Sequence, residues 1–232
     1  MIQVKNLKLM SSLFHHRLDI SELKLNLDGI VALVGHNGAG KSSLLRIMAG
    51  IEKPHEGFVI YNDEPIFENY EKYKNKIHLL TPQKEMFSQI SAMDHLNFIK
   101  SISHTWNTEI ENDLQNEFKI PIFKKVDQLS RGELSKLKIL LSLPRQPEFI
   151  FTDELTNDLD TDSRRSIFQK LDSYSFHHKT KVLVATNMIE DVERYATNVI
   201  LLKNGKIVLK GNLDQLKEEK KLSLVEMIRQ FE

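Results

Sequence analysis

The pattern of apolar and polar positions predicts a chain in which short strands alternate with helices. Five apolar runs are typical of buried strands: 30–34, 57–61, 77–80, 149–152 and 182–185. Apolar residues at helical spacing follow three of these runs, at 43–48, 163–171 and 192–196. This alternation predicts an α/β fold with a mostly parallel sheet and helices on both of its faces.

Two segments depart from this alternation. At the N-terminus, 2–9 and 23–27 alternate like half-exposed strands and predict an antiparallel β subdomain. From 84 to 145 the pattern becomes helical, with candidate helices at 92–102, 109–118 and 134–143. We therefore predict a single domain, 1–232, with an α-helical subdomain inserted at 84–145.

The last part of the chain predicts a hairpin followed by a helix. Residues 199–203 and 206–210 flank Asn204-Gly205, a strong two-residue hairpin signal. Residues 213–232 are rich in charge and carry an apolar stripe formed by Leu222, Leu224, Val225 and Ile228. We expect one solvated helix that packs on the surface of the domain.

Composition excludes several classes of function. The 32 Lys and Arg balance the 32 Asp and Glu, so there is no net basic field and we expect no nucleic-acid partner. The chain has no cysteine, which excludes disulfides, thiolate metal sites and thiol catalysis. Its apolar runs fall far short of the roughly 18 residues that span a bilayer, and residues 1–10 lack a signal-peptide core. We expect a soluble chain that can still dock on a membrane partner.

The candidate chemistry centres on residues 35–42, whose sequence GHNGAGKS has the phosphate-loop pattern G-x-x-x-x-G-K-[ST] between a predicted strand and a predicted helix. Loop N–H groups surround phosphates, Lys41 reaches the β- and γ-phosphates, and Ser42 can ligate Mg²⁺. A chance match on a glycine-rich turn is the alternative, which the remaining motifs disfavour. The predicted nucleotide ligands are Gly35, His36, Asn37, Gly38, Ala39, Gly40, Lys41, Ser42 and Ser43.

A carboxylate pair follows the predicted strand at 149–152. In a phosphate-loop ATPase, an Asp placed like Asp153 holds Mg²⁺. The adjacent Glu154 is the natural general base that polarises the attacking water. The alternative is an ordinary pair of surface carboxylates, which is disfavoured downstream of a complete phosphate loop.

A second anion site and an aromatic contact are also predicted. Ser130 and Gly132 lie at the start of a predicted helix, where a hydroxyl, free N–H groups and the helix dipole attract an anion. Ser130 with Glu133 also has the pattern of a capping box, and both interpretations can hold together. Phe14 either stacks on an adenine or packs in the core.

Taken together, the motifs resemble the nucleotide-binding subunit of ABC transporters over essentially the whole chain. The matching elements are the phosphate loop at 35–42, the glutamine loop at Gln83, the signature LSRGE at 129–133, the second nucleotide motif at 149–154, the aspartate loop at Asp160, and a closing hairpin with Gly205 and Gly211. Several elements in the right order are more specific than any single motif. The resemblance implies a P-loop NTPase core with ATP and Mg²⁺ as cofactors.

The resemblance also implies partners. Two such subunits face each other head to tail, as a homodimer or a heterodimer, and each ATP lies between the phosphate loop of one and the signature of the other. Asp160 crosses this interface, and Gln83 contacts Mg²⁺ and the membrane partner. Separate transmembrane permease subunits are expected to dock near Gln83, Met86 and Phe87. The chain would then lie in the cytoplasm, on the inner face of the cell membrane.

Four positions depart from the family pattern. Arg131 replaces the first signature glycine, and Leu155 and Asp158 replace a proline and a glycine after the catalytic glutamate. Asn187 stands where the family has the switch histidine that reaches the γ-phosphate. One well-placed hydrogen-bond donor to a transition-state charge is worth on the order of 10²–10³ in rate, so we expect slow hydrolysis. The expected catalytic residues are Glu154, Gln83 and Asn187.

The loop and signature are most similar to type-2 exporters, which implies export, for example of peptides, toxins or antibiotics. One alternative is a regulatory protein that uses ATP as a clamp with little turnover, to which Asn187 lends weight. Another is a soluble, non-transport relative. The insert is too short for the long coiled coil of chromosome ATPases, and one motif set is too few for translation-factor relatives.

Overall fold

The computed structural model of the chain describes residues 1–10, 16–25, 29–81, 86–157 and 159–231. In these ranges the strands are β1 (Ile2–Met10), β2 (His16–Leu25), β3 (Ile30–Val34), β4 (Glu56–Tyr61), β5 (Glu64–Pro65), β6 (Ile77–Leu80), β7 (Phe149–Asp153), β8 (Lys181–Ala185), β9 (Ala196–Lys203) and β10 (Lys206–Asn212). The α-helices are α1 (Lys41–Met48), α2 (Tyr70–Tyr73), α3 (Ala92–Ile102), α4 (Thr108–Phe118), α5 (Arg131–Ser142), α6 (Thr161–His178), α7 (Ile189–Tyr195), α8 (Leu213–Lys220) and α9 (Leu224–Arg229).

Across these ranges, none of the helices has the length and apolar character needed to cross a bilayer.

A six-stranded, mostly parallel sheet forms the centre of the molecule, in the order β10-β9-β3-β8-β7-β6. Neighbours from β9 to β6 pair in parallel, and β10 adds an antiparallel edge. Strands β3, β7 and β8 are apolar and largely buried, as expected where helices cover both faces. Because these three strands are parallel, the segments that follow them emerge at the same edge of the sheet.

A second sheet is antiparallel, with four strands in the order β2-β1-β4-β5. Val4 at its centre lies opposite Leu23 on one side and Val59 on the other. Four apolar residues of β1 are buried and share one core cluster with Leu33 of β3 and Leu44 of α1: Ile2, Val4, Leu7 and Leu9. The antiparallel N-terminal layer and the mostly parallel sheet confirm the predicted α/β, P-loop fold class.

Helices α3, α4 and α5 lie between β6 and β7 in the chain and share an apolar core with α6, β7 and β8. Three polar side chains of α5 also form hydrogen bonds with residues in or directly after β6 and β7. Ser135 Oγ donates to the Leu155 carbonyl (3.0 Å), and Lys138 Nζ donates to the Thr81 carbonyl. Ser142 Oγ shares a hydrogen bond with His78 Nδ1 (2.7 Å). The helical segment is thus tied to the ends of β6 and β7. The boundaries of a subdomain at 84–145 and of one domain at 1–232 stay predictions.

The C-terminal segment is two helices, which corrects the predicted single helix at 213–232. Lys221 has a left-handed φ of 52° and ends α8. Ser223 then starts α9 through a capping box, in which its Oγ accepts from the Glu226 N–H and the Glu226 carboxylate accepts from the Ser223 N–H. The local caps therefore override the continuous apolar stripe.

Other predicted boundaries shift by a few residues. Ala196, predicted as helical, begins β9. The strand predicted at 23–27 is the end of β2, which begins at His16, and residues 26–27 lie outside the described residues. Elements β5 and α2 were not predicted, because two and four residues are too few to show a period.

Candidate active site

Residues 35–40 form a loop that joins β3 to α1 at the carboxyl edge of the sheet. Gly38 and Gly40 have φ of 82° and 106°, a region that favours glycine. A Cβ at Gly40 would lie 2.6 Å from Leu18 Cδ2, so the loop presses closely against β2. Helix α1 has no side-chain cap and no acidic residue in its first turn, and its positive end is therefore open to an anion.

Lys41 begins α1, and its side chain is only 4% exposed. Its Nζ donates to the carbonyl oxygens of Gly35 at 2.8 Å and His36 at 3.3 Å. On the other side, Nζ lies 3.7 Å from Glu154 Oε1. The ammonium group thus lies within the loop, where it can bind an anion that the loop N–H groups also contact.

The Asp153 carboxylate at the end of β7 accepts a hydrogen bond from Ser42, and burial raises its pKa. Its Oδ1 is buried and has no hydrogen-bond partner among the described residues. A buried, unsatisfied carboxylate oxygen beside a hydroxyl suits Mg²⁺, which protein sites commonly bind through one or two carboxylates and substrate phosphates. Among the described residues there is no cluster of three His, Asp or Glu that could hold a metal alone. The residues therefore fit Mg²⁺ that arrives with a nucleotide.

Glu154 occupies a strained backbone conformation directly after β7. Its φ of 52° lies in the left-handed region, which is uncommon for a residue with a side chain. The Glu154 N–H donates to the Ala185 carbonyl of β8 at 2.9 Å, which holds this turn in place. Such conformations concentrate at functional sites, and this one directs the half-buried carboxylate towards Lys41.

Asn187 follows β8 and is exposed. It lines a cavity of about 360 Å³ together with Gly35 and His36, which places it beside the phosphate loop. The preceding Thr186 is fully buried and donates through Oγ1 to Asn157 Oδ1 at 3.2 Å. Sequence reasoning missed this contact, because no local signal relates Asn157 to a residue after another strand.

Ser130 and Asp160 cap the neighbouring helices α5 and α6. Ser130 Oγ accepts from the Glu133 N–H at 3.2 Å, and Glu133 Oε2 accepts from the Ser130 N–H at 2.7 Å, which lowers the pKa of Glu133. Asp160 accepts from the Ser163 N–H at 2.9 Å. In the described part of the chain, the hydrogen bonds of Ser130 and Asp160 stay within these two helix starts. The capping-box interpretation of Ser130 is therefore confirmed.

Two predicted site residues, Phe14 and Gln83, lie outside the described residues, as does Asp158, which departs from the family pattern. The neighbouring Met86 is half-buried and packs against the helical core, whereas Phe87 is 68% exposed. The Phe87 ring stacks on His95 at a centroid distance of 5.9 Å, and its carbonyl contacts His95 Nε2 at 3.0 Å. Phe87 is therefore held in an exposed position by its own backbone and ring contacts.

Residues 18–157, more than half of the chain, match the family described as ABC transporter, and the chain belongs to this family. The strand-loop-helix with buried Lys41, the Asp153-Glu154 pair and the two-sheet architecture all agree with that membership. The chain is thus an ATP-binding domain that uses ATP and Mg²⁺ and hydrolyses ATP.

Several curated proteins are similar to the chain. An uncharacterized ABC transporter ATP-binding protein of Methanocaldococcus jannaschii is 28% identical, over 81% of this chain and 68% of its own length. The ABC transporter ATP-binding protein YtrB of Bacillus subtilis is 27% identical, over 82% of this chain and 65% of its own. The phosphonates import ATP-binding protein PhnC of Treponema denticola is 24% identical, over 94% of this chain and 92% of its own. The chain thus spans about two thirds of the first two relatives.

Solved structures share the fold. One described as an ATP binding subunit of an ABC transporter superposes with a TM-score of 0.84 at 22% identity, covering 99% of this chain and 98% of that one. A dimeric, post-hydrolysis ATP-binding cassette bound to ADP and phosphate gives a TM-score of 0.79 at 23% identity, covering 92% and 99%. At these identities the likeness establishes the cassette fold.

Proposed function

We propose that the chain is the ATP-binding subunit of an ABC transporter, which hydrolyses ATP as a head-to-tail dimer and so drives transport by separate transmembrane subunits. The convergence of Lys41, Asp153 and Glu154 at one edge of the sheet carries this proposal. It brings a phosphate-binding cation, a Mg²⁺ ligand and a general base to one place.

Nucleotide binding falls to the loop and its helix. The loop N–H groups and Lys41 hold the β- and γ-phosphates, and Ser43 donates to the α-phosphate. Ser42, Asp153 and Gln83 would hold Mg²⁺, which would neutralise phosphate charge when bound. The raised pKa of Asp153 supports this role, because a cation relieves the cost of burying a carboxylate.

Hydrolysis requires that a water molecule be oriented and polarised. Glu154 lies at the mouth of the sheet with its carboxylate half-buried near Lys41, which suits a general base. Asn187 can donate a hydrogen bond towards the γ-phosphate, but it is shorter than histidine and cannot become cationic. We therefore expect hydrolysis, but at a low rate.

The second half of each ATP site is proposed to come from a partner subunit. Ser130 and Asp160 are exposed, as is Arg131 between the two motif positions Ser130 and Gly132. The capped start of α5 still presents a hydroxyl and the positive end of a 12-residue helix. These groups are suited to contact the triphosphate that Lys41 of the other copy binds, on the side opposite that Lys41.

The permease is proposed to dock near Gln83, Met86 and Phe87. A groove of about 290 Å³ runs between β6 and α5, and its lining combines apolar side chains, among them Met86, Ile99 and Leu141, with polar and charged ones. Large apolar side chains are exposed close to it in sequence, at Phe87, Phe98 and Ile102. Exposed apolar side chains next to a groove are typical of an interaction surface.

Export is the direction we propose, with peptides, toxins or antibiotics as cargo. It rests on the Leu129-Ser130-Arg131-Gly132 signature and the phosphate-loop sequence. Three relatives, by contrast, are named as import proteins, for phosphonates, methionine and molybdenum. Inside-out vesicles that hold the reconstituted transporter separate the two directions, because export fills them upon ATP addition and import does not.

Phosphate release by the purified chain tests the proposal. Wild-type protein should release phosphate only with both ATP and Mg²⁺. Lys41→Ala should lose ATP binding, whereas Glu154→Gln should bind ATP without hydrolysing it. Lys72→Ala, which removes an exposed lysine paired with Glu64, is the matched control and should keep full activity. Equal turnover by Lys41→Ala and the control would contradict the proposal.

A regulatory ATP clamp is the second candidate, and the exposed Asn187 at the switch position favours it. A clamp binds and dimerises with ATP but turns it over slowly whether or not the membrane partner is present. A transport subunit turns ATP over faster when its permease is present. Turnover measured with and without the co-purified membrane protein therefore separates the two candidates.

A further inference from the structure

Residues on both sides of Asn187 contact a neighbouring part of the chain, at Asn157 and Arg164. On its N-terminal side, Thr186 Oγ1 donates to Asn157 Oδ1 at 3.2 Å. On its C-terminal side, Asp191 of α7 pairs with Arg164 of α6, with 3.5 Å between the Asp191 carboxylate and Arg164 Nε. Two contacts therefore join the Asn187 turn to the segment between 157 and 164.

The Arg164–Asp191 pair is largely buried, with side chains 16% and 15% exposed. Burial raises the pKa of Asp191, and the charge of Arg164 acts in the opposite direction. At 3.5 Å the two groups are at ion-pair distance, and Arg164 Nε and Asp191 Oδ2 have no hydrogen-bond partner in the described residues. The pair can thus shorten if α6 and α7 approach, and removing one partner would leave a buried charge uncompensated.

A second contact holds the same two helices one turn further along. The rings of Phe168 and Tyr195 stack at a centroid distance of 5.1 Å and an angle of 5°. Phe168 lies four residues after Arg164, and Tyr195 lies four residues after Asp191. The ion pair and the ring contact therefore join α6 to α7 at two successive helical turns. A displacement of α6 would therefore displace α7 as well.

The opposite side of α7 is anchored to the C-terminal helices. Glu193 Oε1 accepts from the Leu224 N–H at 3.1 Å and lies 3.4 Å from Lys217 Nζ. Because α7 is bound to α6 through Asp191 and to α8 and α9 through Glu193, its position is determined by contacts outside its own seven residues. Its first turn follows directly after Asn187.

Arg164 is also one turn from the residue predicted to cross the dimer interface. The Arg164 N–H donates to the Asp160 carbonyl at 3.0 Å in the first turn of α6. Asp191 lies in the first turn of α7, which begins at Ile189, two residues after Asn187. The ion pair therefore connects the start of α6, which follows Asp160, with the start of α7, which follows Asn187, beside the Thr186–Asn157 hydrogen bond.

We propose that Arg164 is a positioning residue, which sets the placement of Asn187 through Asp191 and makes it depend on the contact of Asp160 with a partner subunit. This role rests on the functions proposed above for Asn187 and Asp160. Arg164 itself does not touch the nucleotide. Its effect should therefore fall on turnover and leave nucleotide binding unchanged.

Steady-state hydrolysis of radiolabelled ATP by the full chain tests this role. Arg164→Met should lower kcat about 10- to 100-fold with KM unchanged, since small misplacements away from the chemistry have effects of this size. Arg165→Met removes the same group from the exposed next position of α6 and should stay near wild type. Asp191→Asn should reproduce the loss, and combining it with Arg164→Met should add little.

The decisive comparison uses an Asn187→Ala background. If Arg164 acts through Asn187, Arg164→Met adds no further loss of kcat there; an equal loss in both backgrounds overturns the proposal. Should Arg164→Met fail to fold, Arg164→Lys, which keeps the charge, provides the same comparison with a smaller loss. Equal kcat values for Arg164→Met and Arg165→Met overturn only this role, whereas full activity of Lys41→Ala would overturn the proposed function itself.

Discussion

Lys41 Nζ lies 3.7 Å from Glu154 Oε1, although the two residues follow strands that are not neighbours in the sheet. Lys41 begins α1 after β3, Glu154 follows β7, and β8 lies between those strands. The two side chains therefore meet in front of the end of β8, and Asn187 follows that strand. The parallel order of the sheet explains why Lys41, Glu154 and Asn187 all follow strand ends at the same edge.

Asp153→Asn should separate stability from activity. Burial raises the pKa of Asp153, so its charge is unfavourable in the nucleotide-free chain, and a neutral amide removes that cost. We expect the thermal midpoint to stay equal or rise, whereas Mg²⁺-dependent hydrolysis falls at least about 100-fold. Asp113→Asn, on an exposed position of α4, is the control for calorimetry and phosphate release. A lower midpoint with retained hydrolysis would show that Asp153 is structural.

Asn187→His should speed hydrolysis. Histidine reaches further than asparagine and can carry charge, and a well-placed donor to the transition state is worth about 10²–10³ in rate. Asn187→Gln is the control, because it extends the reach without adding a charge. The steady-state kcat of the three proteins decides the matter. If Asn187→His is no faster than wild type, the switch position does not limit turnover.

Gly40→Ala should destabilise the chain more than Gly38→Ala. Both residues have positive φ, which costs a side-chain residue about 1–2 kcal/mol. A Cβ at Gly40 would also approach Leu18 Cδ2 at 2.6 Å, whereas a Cβ at Gly38 would meet nothing within 4 Å. We expect an additional loss of about 1–3 kcal/mol at Gly40, measured by urea unfolding. Equal losses would mean that the loop does not press on β2.

Much of this site could be predicted because its main motifs are contiguous in sequence. The phosphate loop is a run of eight residues between an apolar strand and a helix, and Asp153-Glu154 directly ends another apolar strand. Strand existence followed from apolar runs, and the helical insert from helical periodicity. The break between α8 and α9 also had a local signal, the capping-box spacing of Ser223 and Glu226, which the apolar stripe obscured.

The rest depends on strand order, which no local pattern encodes. Thr186 meets Asn157, and Arg164 meets Asp191, only because α6 and the ends of β7 and β8 are neighbours in space. The positive φ of Glu154 is likewise imposed by its bond to the Ala185 carbonyl of the next strand. Tertiary contacts thus decide how the predicted residues are oriented.

His78 should make stability depend on pH. Burial, with a smaller contribution from Arg145, lowers its pKa from 6.5 to about 3. Below pH 6.5 the unfolded chain binds a proton that the folded chain does not, so this stability is complete above 6.5 and lost as the pH falls towards 3. The loss at about pH 5 amounts to roughly 2 kcal/mol.

His78→Gln isolates that contribution, since it cannot titrate but can still bond to Ser142. Urea unfolding of both proteins at about pH 7.5 and about pH 5 gives the difference in pH dependence. We expect the wild type to lose more stability than the variant between these values. Parallel losses would mean that His78 is not buried as a neutral ring.

The central claim is that each ATP is gripped jointly by Lys41 of one copy and Ser130 of another, and a mixing experiment tests it most directly. Two proteins carry Glu154→Gln to prevent hydrolysis, one with Lys41→Ala and the other with Ser130→Arg. Light scattering in the presence of ATP should find each protein monomeric by itself. In a dimer of two identical copies, each ATP site would combine one intact half with one mutated half. Mixing them restores one complete site and should yield heterodimers. ATP-dependent dimers of either protein alone, or a mixture that stays monomeric, would contradict the account.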